Sequence, residues 1–303
     1  MRVLGANDDL ALDDDLVIAA DNAAVLPRLP AGAFDLIYVD PPFNTGRRQE
    51  RRTLRTTAHP EGDRNGFAGR RYRAEELGRL AYEDRHEDYL GFLAPRLEAA
   101  HRLLAPHGTL YLHLDPREAY RVRLLLLDEI FGADAFLNEI VWAYDYGGRP
   151  RDRWPAKHDT ILVYVRTPGA HLFDAEAVDR EPYMAPGLVS ADKAARGKRP
   201  TDTWWHTIVP TNGREKTGYP TQKPEGIVRR MVQASSRPGG WCLDFFAGSG
   251  TLGAVCHELG RRFVLVDANP EAVAVIARRL QAPSSSRSRS ALRTAKPSQS
   301  LLK

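Results

Sequence analysis

The chain has 303 residues with two cysteines and nine histidines, and its net charge is +4, from 43 Lys and Arg against 39 Asp and Glu. Two cysteines exclude a disulfide framework, and because no Cys and His residues stand at zinc-ligand spacing we expect no metal site. No apolar run approaches membrane-spanning length and the N-terminus is acidic rather than signal-like, so we expect a soluble, cytoplasmic protein without a membrane partner.

Two short apolar runs, "LVIAADN" and "FDLIYVD", open the chain, and each ends in a polar residue, as buried parallel strands do. Residues 44–80 break this pattern, with ten Arg against five acids. Because a loop of this length inside a domain is usually functional or disordered, we predict a mobile basic loop there.

Regular patterns return after residue 80. "YLGFLAPRLEAAHRLL" and "AYRVRLLLLDEIFG" have helical spacing, and "GTLYLHL" between them has the pattern of a strand. "FLNEIVWAY" and "DTILVYVR" read as two strands joined only by a loop, so we expect them to pair antiparallel.

Strands and helices alternate from Lys223 onwards, which predicts a mostly parallel, doubly wound α/β sheet. This C-terminal half supplies only the strands "WCLDFF" and "RRFVLVD", so the N-terminal "LVIAADN" is the natural third. That order suggests a nucleotide-binding fold whose chain has been cut and rejoined. The final residues, 282–303, hold five bases and no acid, and we interpret them as a disordered basic tail. Without those five, 38 Lys and Arg face 39 Asp and Glu, so net charge is weak support for a nucleic-acid partner.

The stretch "VDPPFNTG", residues 39–46, is an unusual end for a strand. Two successive prolines fix φ and remove two backbone donors, so the nearby carbonyls are rigid and free to accept hydrogen bonds. Such a site suits a ligand with an N–H group. Taken alone, Asp40 reads equally as a helix cap and Pro41–Pro42 as a simple turn.

A second motif, "LDFFAGSGTLG", places Asp244 at a strand end and then Gly248 and Gly250 before a helix. The glycines permit a tight turn and the close approach of a ligand. The next strand ends in Asp267, roughly 20 residues further on, where a carboxylate can bind ribose hydroxyls. Because no Lys-Ser/Thr pair follows the glycines, the two features favour an adenosine-type ligand without a phosphate over a plain turn.

With these motifs the sequence resembles the β-class amino-methyltransferases of DNA, which use S-adenosylmethionine. "VDPPFNTG" resembles their catalytic D-P-P-Y/F motif, and "LDFFAGSGT" their F-x-G-x-G cofactor loop. "TQKPEGIVRRMV" resembles the helix before that loop, "VDANPEAV" the ribose strand and "KHDTILVYVR" the strand beside target recognition. The motif order is the permuted order of the family, which accounts for the missing third strand. Phe245 departs from the family, which usually has proline there, and we expect a modest change in loop stiffness.

The resemblance implies a circularly permuted Rossmann-like methyltransferase. Its mostly parallel, seven-stranded sheet would contain one antiparallel strand and an inserted target-recognition region. Residues 1–165 would form the catalytic half, 166–216 the recognition region and 217–281 the cofactor-binding half.

The resemblance also implies a set of site residues and no metal. The catalytic residues would be Asp40, Pro41, Pro42 and Phe43. The cofactor would contact Asp21, Asn22, Asp40, Lys223, Asp244, Phe246, Gly248, Gly250, Asp267 and Asn269. Two basic clusters, in loop 47–73 and in "YGGRPRDRWPAKH", supply the DNA candidates Arg47, Arg48, Arg149, Arg151, Arg153 and Lys157.

The chemistry of this family explains the motif at residues 39–46. The Asp40 carboxylate and the Pro41 carbonyl would accept both hydrogens of an adenine N6 amine, whose lone pair is otherwise delocalised into the ring. Phe43 would stack on the base after it has left the duplex. The sequence therefore predicts an N6-adenine DNA methyltransferase acting on double-stranded DNA, of the kind found in restriction–modification. A second copy in a homodimer and a cognate restriction endonuclease on a separate chain are further partners to consider.

Three alternatives differ in the motif that each would require. Cytosine N4 methylation typically has Ser in place of Asp40. Methylation of protein glutamine or RNA uses Asn-Pro-Pro-Tyr, with the cofactor loop upstream of the catalytic motif. A DNA-binding relative without catalysis would have a damaged "DPPF" or "GSG". The remaining candidates, His86, His101, His107, His113 and Trp204–Trp205, we interpret as surface or core residues.

Overall fold

A computed structural model describes residues 1–44, 49–58, 64–65, 71–82, 88–210 and 212–281. Its strands are β1 (Arg2–Gly5), β2 (Leu16–Ala19), β3 (Phe34–Val39), β4 (Gln49–Ala58), β5 (Arg64–Asn65), β6 (Arg71–Tyr82), β7 (Leu104–Leu114), β8 (Phe136–Ala143), β9 (His158–Val165), β10 (Thr203–Trp205), β11 (Trp241–Asp244) and β12 (Arg262–Asp267). Its helices are α1 (Asn22–Val25), α2 (Tyr89–Leu103), α3 (Pro116–Val122), α4 (Asp128–Phe131), α5 (Ala191–Arg196), α6 (Glu225–Ser235), α7 (Thr251–Leu259) and α8 (Pro270–Gln281). Short 3-10 turns lie at Leu26–Arg28, Ala133–Ala135 and Pro186–Leu188, and a π-helical turn at Arg123–Leu127.

The main sheet has nine strands in the order β1-β2-β12-β11-β3-β7-β9-β8-β10. Strand β9 is antiparallel to both of its neighbours, and the other pairs are parallel. The seven inner strands are the predicted seven, with β2 beside β12 and β8 antiparallel to β9 as expected. The predicted strand number was wrong, because β1 and β10 extend the two edges. With four and three residues, these edge strands are too short to show a pattern in the sequence.

Helices cover both faces of the main sheet. On strand β3, Ile37 and Val39 face one apolar cluster with α2, whereas Leu36 and Tyr38 face a second cluster with α6 and α7. This alternation follows from the two-residue period of a strand. All six residues of β3 are buried, because a central parallel strand is covered on both sides. The carboxyl ends of the parallel neighbours β3, β11 and β12 therefore lie together at one edge.

The mobile basic loop predicted at 44–80 contains strands in the part that the structure describes, and its mobility stays a prediction. Strands β4 and β6 pair antiparallel, from Gln49 opposite Tyr82 to Ala58 opposite Tyr72, and β5 adds a third strand. The many charged residues disguise the strands, because a polar ribbon lacks the alternation of apolar residues by which strands are identified. Three threonines of β4, Thr53, Thr56 and Thr57, favour the extended conformation.

Two further predictions concern residues outside the described ranges. The tail 282–303 lies outside them, as do Arg47 and Arg48. The division into 1–165, 166–216 and 217–281 stays a prediction.

A buried carboxylate joins three parts of the fold. Asp35 on β3 accepts hydrogen bonds from the backbone N, Nε and Nη2 of Arg237, at 3.1, 3.3 and 3.2 Å. Its Oδ1 lies 2.7 Å from His107 Nε2 on β7. A Cβ at Gly240 would lie 2.2 Å from Asp35 Oδ2, so the close approach of this segment requires glycine. Burial raises the pKa of Asp35, but the bonds from Arg237 and His107 outweigh it and hold the pKa below its usual value.

Asp35→Ala is expected to lower the free energy of unfolding at pH 7 by about 1–3 kcal/mol, because bonded partners lose their acceptor. Since the pKa of Asp35 is lowered by folding, its stabilising effect is present at neutral pH. It disappears as the pH falls below the usual carboxyl range. Urea unfolding of wild type and variant should therefore give a difference that shrinks on acidification. Asp152→Ala, at an exposed acid, is the matched control. A difference that grows towards low pH would contradict this role.

Candidate active site

A cavity of about 830 Å³ opens at the carboxyl ends of β3, β11 and β12. Its wall includes the 40–43 segment, the segment 219–223 that precedes α6, the loop after β11 and the ends of β8 and β9. Among the described residues that line it, five are aspartates and two are lysines: Asp40, Asp115, Asp159, Asp244, Asp267, Lys216 and Lys223. This excess of carboxyl groups favours a ligand that carries positive charge.

Asp40 is paired on one side only. Lys223 Nζ lies 2.5 Å from Asp40 Oδ2 and 4.6 Å from the centre of the Phe43 ring. The other oxygen, Oδ1, is buried and has no hydrogen-bond partner within the described ranges. Because a buried acceptor without a partner is costly, Oδ1 is a site for an N–H group of a ligand.

The segment after Asp40 is held in one conformation. Pro41 is buried and Pro42 half-buried, and both fix φ. Asn44 has φ 52°, in the left-handed region that asparagine tolerates better than most residues. The Phe43 ring lies 5.8 Å from the ring of His113. The motif therefore presents a carboxylate and an aromatic ring from a rigid turn.

A chain of buried hydrogen bonds supports this wall of the cavity. Tyr38 Oη lies 3.1 Å from His113 Nδ1, and His113 Nε2 lies 3.0 Å from Asp159 Oδ2. Burial and the nearby carboxylates raise the pKa of Tyr38 well above its usual value, so the phenol keeps its proton and donates to Nδ1. His113 then donates from Nε2 to Asp159, and the Tyr144 hydroxyl donates to Asp159 Oδ1 at 2.8 Å. Burial alone would raise the pKa of Asp159, but the hydrogen bonds from His113 and Tyr144 and the charge of Lys223 lower it below its usual value, so Asp159 is a carboxylate.

The glycine loop between β11 and α7 is fixed by carboxylates from two strands. Asp244 Oδ1 accepts from Phe246 N at 2.9 Å, and Asp267 accepts from Gly248 N at 2.7 Å and from Asn269 N at 2.8 Å. Gly250 has φ +71°, and a Cβ there would lie 2.9 Å from Ile276, so the turn requires glycine.

A buried arginine fastens the same loop to two helices. Arg279 on α8 donates from Nη1 to Ser249 O at 3.0 Å and to Thr251 Oγ1 at 3.1 Å. Its Nη2 donates to Glu225 Oε1 on α6 at 2.7 Å. Thr251 in turn donates to the backbone oxygen of Lys223 at 3.0 Å. The loop, the lysine and α6 therefore form one connected unit.

Most of the predicted site residues meet in this cavity. Its lining includes Asp40, Pro41, Pro42, Phe43, Lys223, Asp244, Phe246, Gly248, Asp267 and Asn269. Two others have structural partners instead: Asp21 caps α1 and lies 3.4 Å from Arg96, and buried Asn22 donates to Phe245 O at 2.7 Å. Phe245 itself is buried in the apolar cluster with α2.

The predicted DNA contacts that the structure describes lie in the exposed loop between β8 and β9. Arg149 pairs with Asp145 and Arg153 with Asp152, and Arg151 is exposed. Lys157 Nζ donates to three backbone oxygens, those of Tyr146, Gly147 and Gly148, at 2.7, 2.7 and 3.1 Å. The loop is therefore fastened at its base by Lys157.

Four residues around the site were not predicted from the sequence to belong to it: His113, Tyr144, Asp159 and Arg279. The sequence offered one indication for His113 and Asp159. Each lies in a predicted strand, and the strands beside it also contribute residues to the cavity. The sequence offered none for Arg279, since an arginine in the last turn of an amphipathic helix normally faces solvent. In the ranges that the structure covers, no group of His, Cys, Asp and Glu suited to a metal ion occurs. The described helices also include none with the length and apolar character to cross a membrane.

Comparison with known proteins gives one family. The family model described as "DNA methylase" matches residues 34–278. The type II methyltransferase M.HpaI of Haemophilus parainfluenzae is 29% identical over 268 residues, covering 88% of this chain and 74% of that protein. The DNA adenine methyltransferase YhdJ of Escherichia coli K12 is 28% identical over 279 residues, covering 88% and 83%.

Solved structures share the fold. The PvuII DNA methyltransferase, described as cytosine-N4-specific, gives a TM-score of 0.61 at 16% identity, covering 87% of this chain and 85% of that one. M1.HpyAVI in complex with SAM gives 0.54 at 18% identity, covering 88% and 98%.

The buried carboxyl of Asp244 gives a test of the site in the absence of ligand. Burial, together with the charges of Asp40 and Asp267, raises the pKa of Asp244 well above its usual value. A raised pKa in the folded state means that stability falls as the pH rises through the window between the unfolded and folded pKa values. Asp244→Asn keeps an acceptor for Phe246 N and removes this titration. The variant should therefore be more stable than wild type at neutral pH and equal to it near pH 4, as followed by thermal unfolding. An advantage that fades as the pH rises would refute this view of Asp244.

Proposed function

Because the chain belongs to the DNA methylase family, we propose that it transfers the methyl group of S-adenosylmethionine to the N6 amine of an adenine extruded from duplex DNA. The observation that carries the proposal is Oδ1 of Asp40, which is buried and has no hydrogen-bond partner among the described residues, in a cavity that Phe43 also lines. An amine donates hydrogen bonds, and a fixed carboxylate oxygen is the acceptor that it needs.

The acid at position 40 supports adenine as the target. Transfer of a methyl cation equivalent places positive charge on the amine nitrogen, and a carboxylate stabilises this charge better than a neutral hydroxyl would. Pro41 and Pro42 hold the acceptors in place before the reaction, so little reorganisation is needed. The PvuII enzyme shares the fold at low identity and carries no argument about the base. Cytosine N4 stays the alternative target.

Phe43 supports the binding of an extruded base. Removing a base from the stack costs a few kcal/mol. Stacking on an aromatic ring returns about 1–3 kcal/mol. The ring is half-buried and lies against His113, so it is held as a flat surface in the cavity wall. The hydrogen-bonded chain of Tyr38, His113 and Asp159 then acts as a rigid support for this surface.

The cavity also fits the cofactor. S-adenosylmethionine supplies a methyl group on a positively charged sulfur, and the wall holds more carboxyl groups than lysines. Asp267, at the end of β12, is suited to the ribose hydroxyls. Gly248 and Asn269 on either side of it are suited to close contact with the nucleoside. Asp244 is suited to a positively charged part of the ligand. Asp21 and Asn22 would contribute by ordering the loop.

Double-stranded DNA would approach at the rim of the cavity. Tyr146 lines the cavity and is 67% exposed, and Trp154 in the same loop is 95% exposed. Arg149, Arg151 and Arg153 stand between these two aromatic residues and can neutralise phosphates. A homodimer and a cognate restriction endonuclease stay predictions.

Substitution of Asp40 tests the proposed function. Asp40→Ala should lower methyl transfer by at least about 100-fold, the usual effect of losing one acceptor or donor of the transition state. Folding and most DNA affinity should survive. Asp40→Ser should retain trace adenine activity at most. Tritiated methyl incorporation into duplex DNA, followed by nucleoside analysis, measures both, with Asp9→Ala as the control at an exposed acid. Only N4-methylcytosine from wild type would defeat the adenine assignment, and full activity of Asp40→Ala would defeat the mechanism.

The cofactor assignment has its own test at Asp267. Asp267→Ala should weaken S-adenosylmethionine binding by about 1–3 kcal/mol, since ribose hydroxyls and two loop N–H groups lose their acceptor. Isothermal titration of wild type, the variant and Asp9→Ala gives the three affinities. Equal affinities for all three would remove Asp267 from the cofactor site.

A further inference from the structure

We propose that Lys223 is a positioning residue that holds Asp40 so that only Oδ1 faces the target amine. The inference rests on the proposed transfer to a base amine, but it applies to adenine and cytosine alike. It also gives Lys223 a different role from the cofactor contact that the family resemblance implies.

The geometry of the ion pair is one-sided. Lys223 Nζ lies 2.5 Å from Oδ2, both side chains are largely buried, and Oδ1 has no partner in the described part of the chain. An ammonium group is a compact charge that occupies one oxygen, whereas the planar guanidinium of arginine binds both oxygens of a carboxylate. Lysine therefore neutralises Asp40 and leaves one acceptor open.

The lysine is itself held from both ends. Its backbone oxygen accepts from Thr251 at the start of α7, the helix that follows the glycine loop. Its ammonium group lies over the Phe43 ring, 4.6 Å from the centre. Lys223 therefore connects the loop of the cofactor site with both functional side chains of the catalytic motif. A change in the glycine loop would reach Asp40 through this residue.

The carboxyl groups of the cavity explain why Asp40 needs the ammonium group of Lys223. Asp40 raises the pKa of buried Asp244 through its charge, after burial itself, so the two carboxyl groups are close enough to repel. Without the ammonium group, the Asp40 carboxylate would lose the adjacent positive charge and the partner that Oδ2 has among the described residues, so it would turn away or rotate. Either change removes the fixed direction of Oδ1, and small misplacements of a reacting group are costly for the rate.

Two substitutions separate charge from geometry. Lys223→Met removes the charge, and Lys223→Arg keeps it but should occupy both oxygens of Asp40. In both variants kcat should fall about 100-fold. The affinities for S-adenosylmethionine and for duplex DNA, measured by titration, should stay close to wild type. Weakened cofactor binding with kcat recovered at saturating cofactor would overturn the proposal and return Lys223 to a cofactor contact. Full kcat in Lys223→Arg would overturn the one-sided pairing.

Chemical restoration gives a readout that a purely structural role would not move. Lys223→Cys is treated either with bromoethylamine, which rebuilds a side chain of lysine length with an ammonium group, or with iodoacetamide, which adds a neutral group. Cys242 and Cys256 are buried in the core, whereas position 223 lines the open cavity, so the new thiol is the reactive one. Wild type treated with both reagents is the control. The aminoethylated protein should regain most of its kcat, and the carboxamidomethylated protein should not. Equal recovery with both reagents, or none with either in protein that still unfolds cooperatively, would refute the proposal.

Measuring total methyl transfer to DNA separates this test from the test of the proposed function. Total tritium in DNA counts transfer to any base, so a wild-type product on cytosine leaves the Lys223 comparison valid. Wild-type protein that binds S-adenosylmethionine but transfers no methyl group to DNA would contradict the proposed function before Lys223 is considered.

Discussion

The parallel pairing of β3, β11 and β12 is the constraint on which the site depends. Each of these strands ends at an aspartate or just before one, so Asp40, Asp244 and Asp267 lie at one edge of the sheet. Parallel neighbours bring equivalent ends together, whatever the distance between the residues in the chain. A carboxyl-rich cavity follows from this pairing, and with it the preference for a ligand that carries positive charge.

Burying three carboxyl groups so close together is unfavourable, and the surrounding groups offset the cost in different ways. Asp267 satisfies both oxygens with backbone N–H groups, although burial still raises its pKa. Asp244 is buried, and burial with the charges of Asp40 and Asp267 raises its pKa well above the usual value. Asp40 is paired with Lys223. The carboxyl groups of the site therefore lower the stability of the folded protein, which is common where a ligand supplies the missing partner.

Rigidity in the site comes from hydrogen-bonded side chains around the glycine loop and the 40–43 segment. Arg279 binds the glycine loop to α6, and the chain from Tyr38 through His113 to Asp159 lies beneath the catalytic motif. Every heavy-atom distance in that chain is within hydrogen-bond range, so the ring of His113 has one orientation. Phe43 packs against this ring. The side chains proposed to be catalytic lie on a turn, and this packing supports them there.

The sequence by itself determined the succession of the central strands and helices along the chain, because apolar residues recur with one period in strands and with another in amphipathic helices. It also determined the two motifs at Asp40 and Gly248, where prolines and glycines restrict the backbone locally. The tertiary structure alone decided the partner of Lys223, the orientation of His113 and the burial of Arg279. Each of these depends on residues far away in the chain, and no local pattern records such distances. The pairing of β4 with β6 was decided in the same way, since register between polar strands is set by contact between them and not by either strand alone.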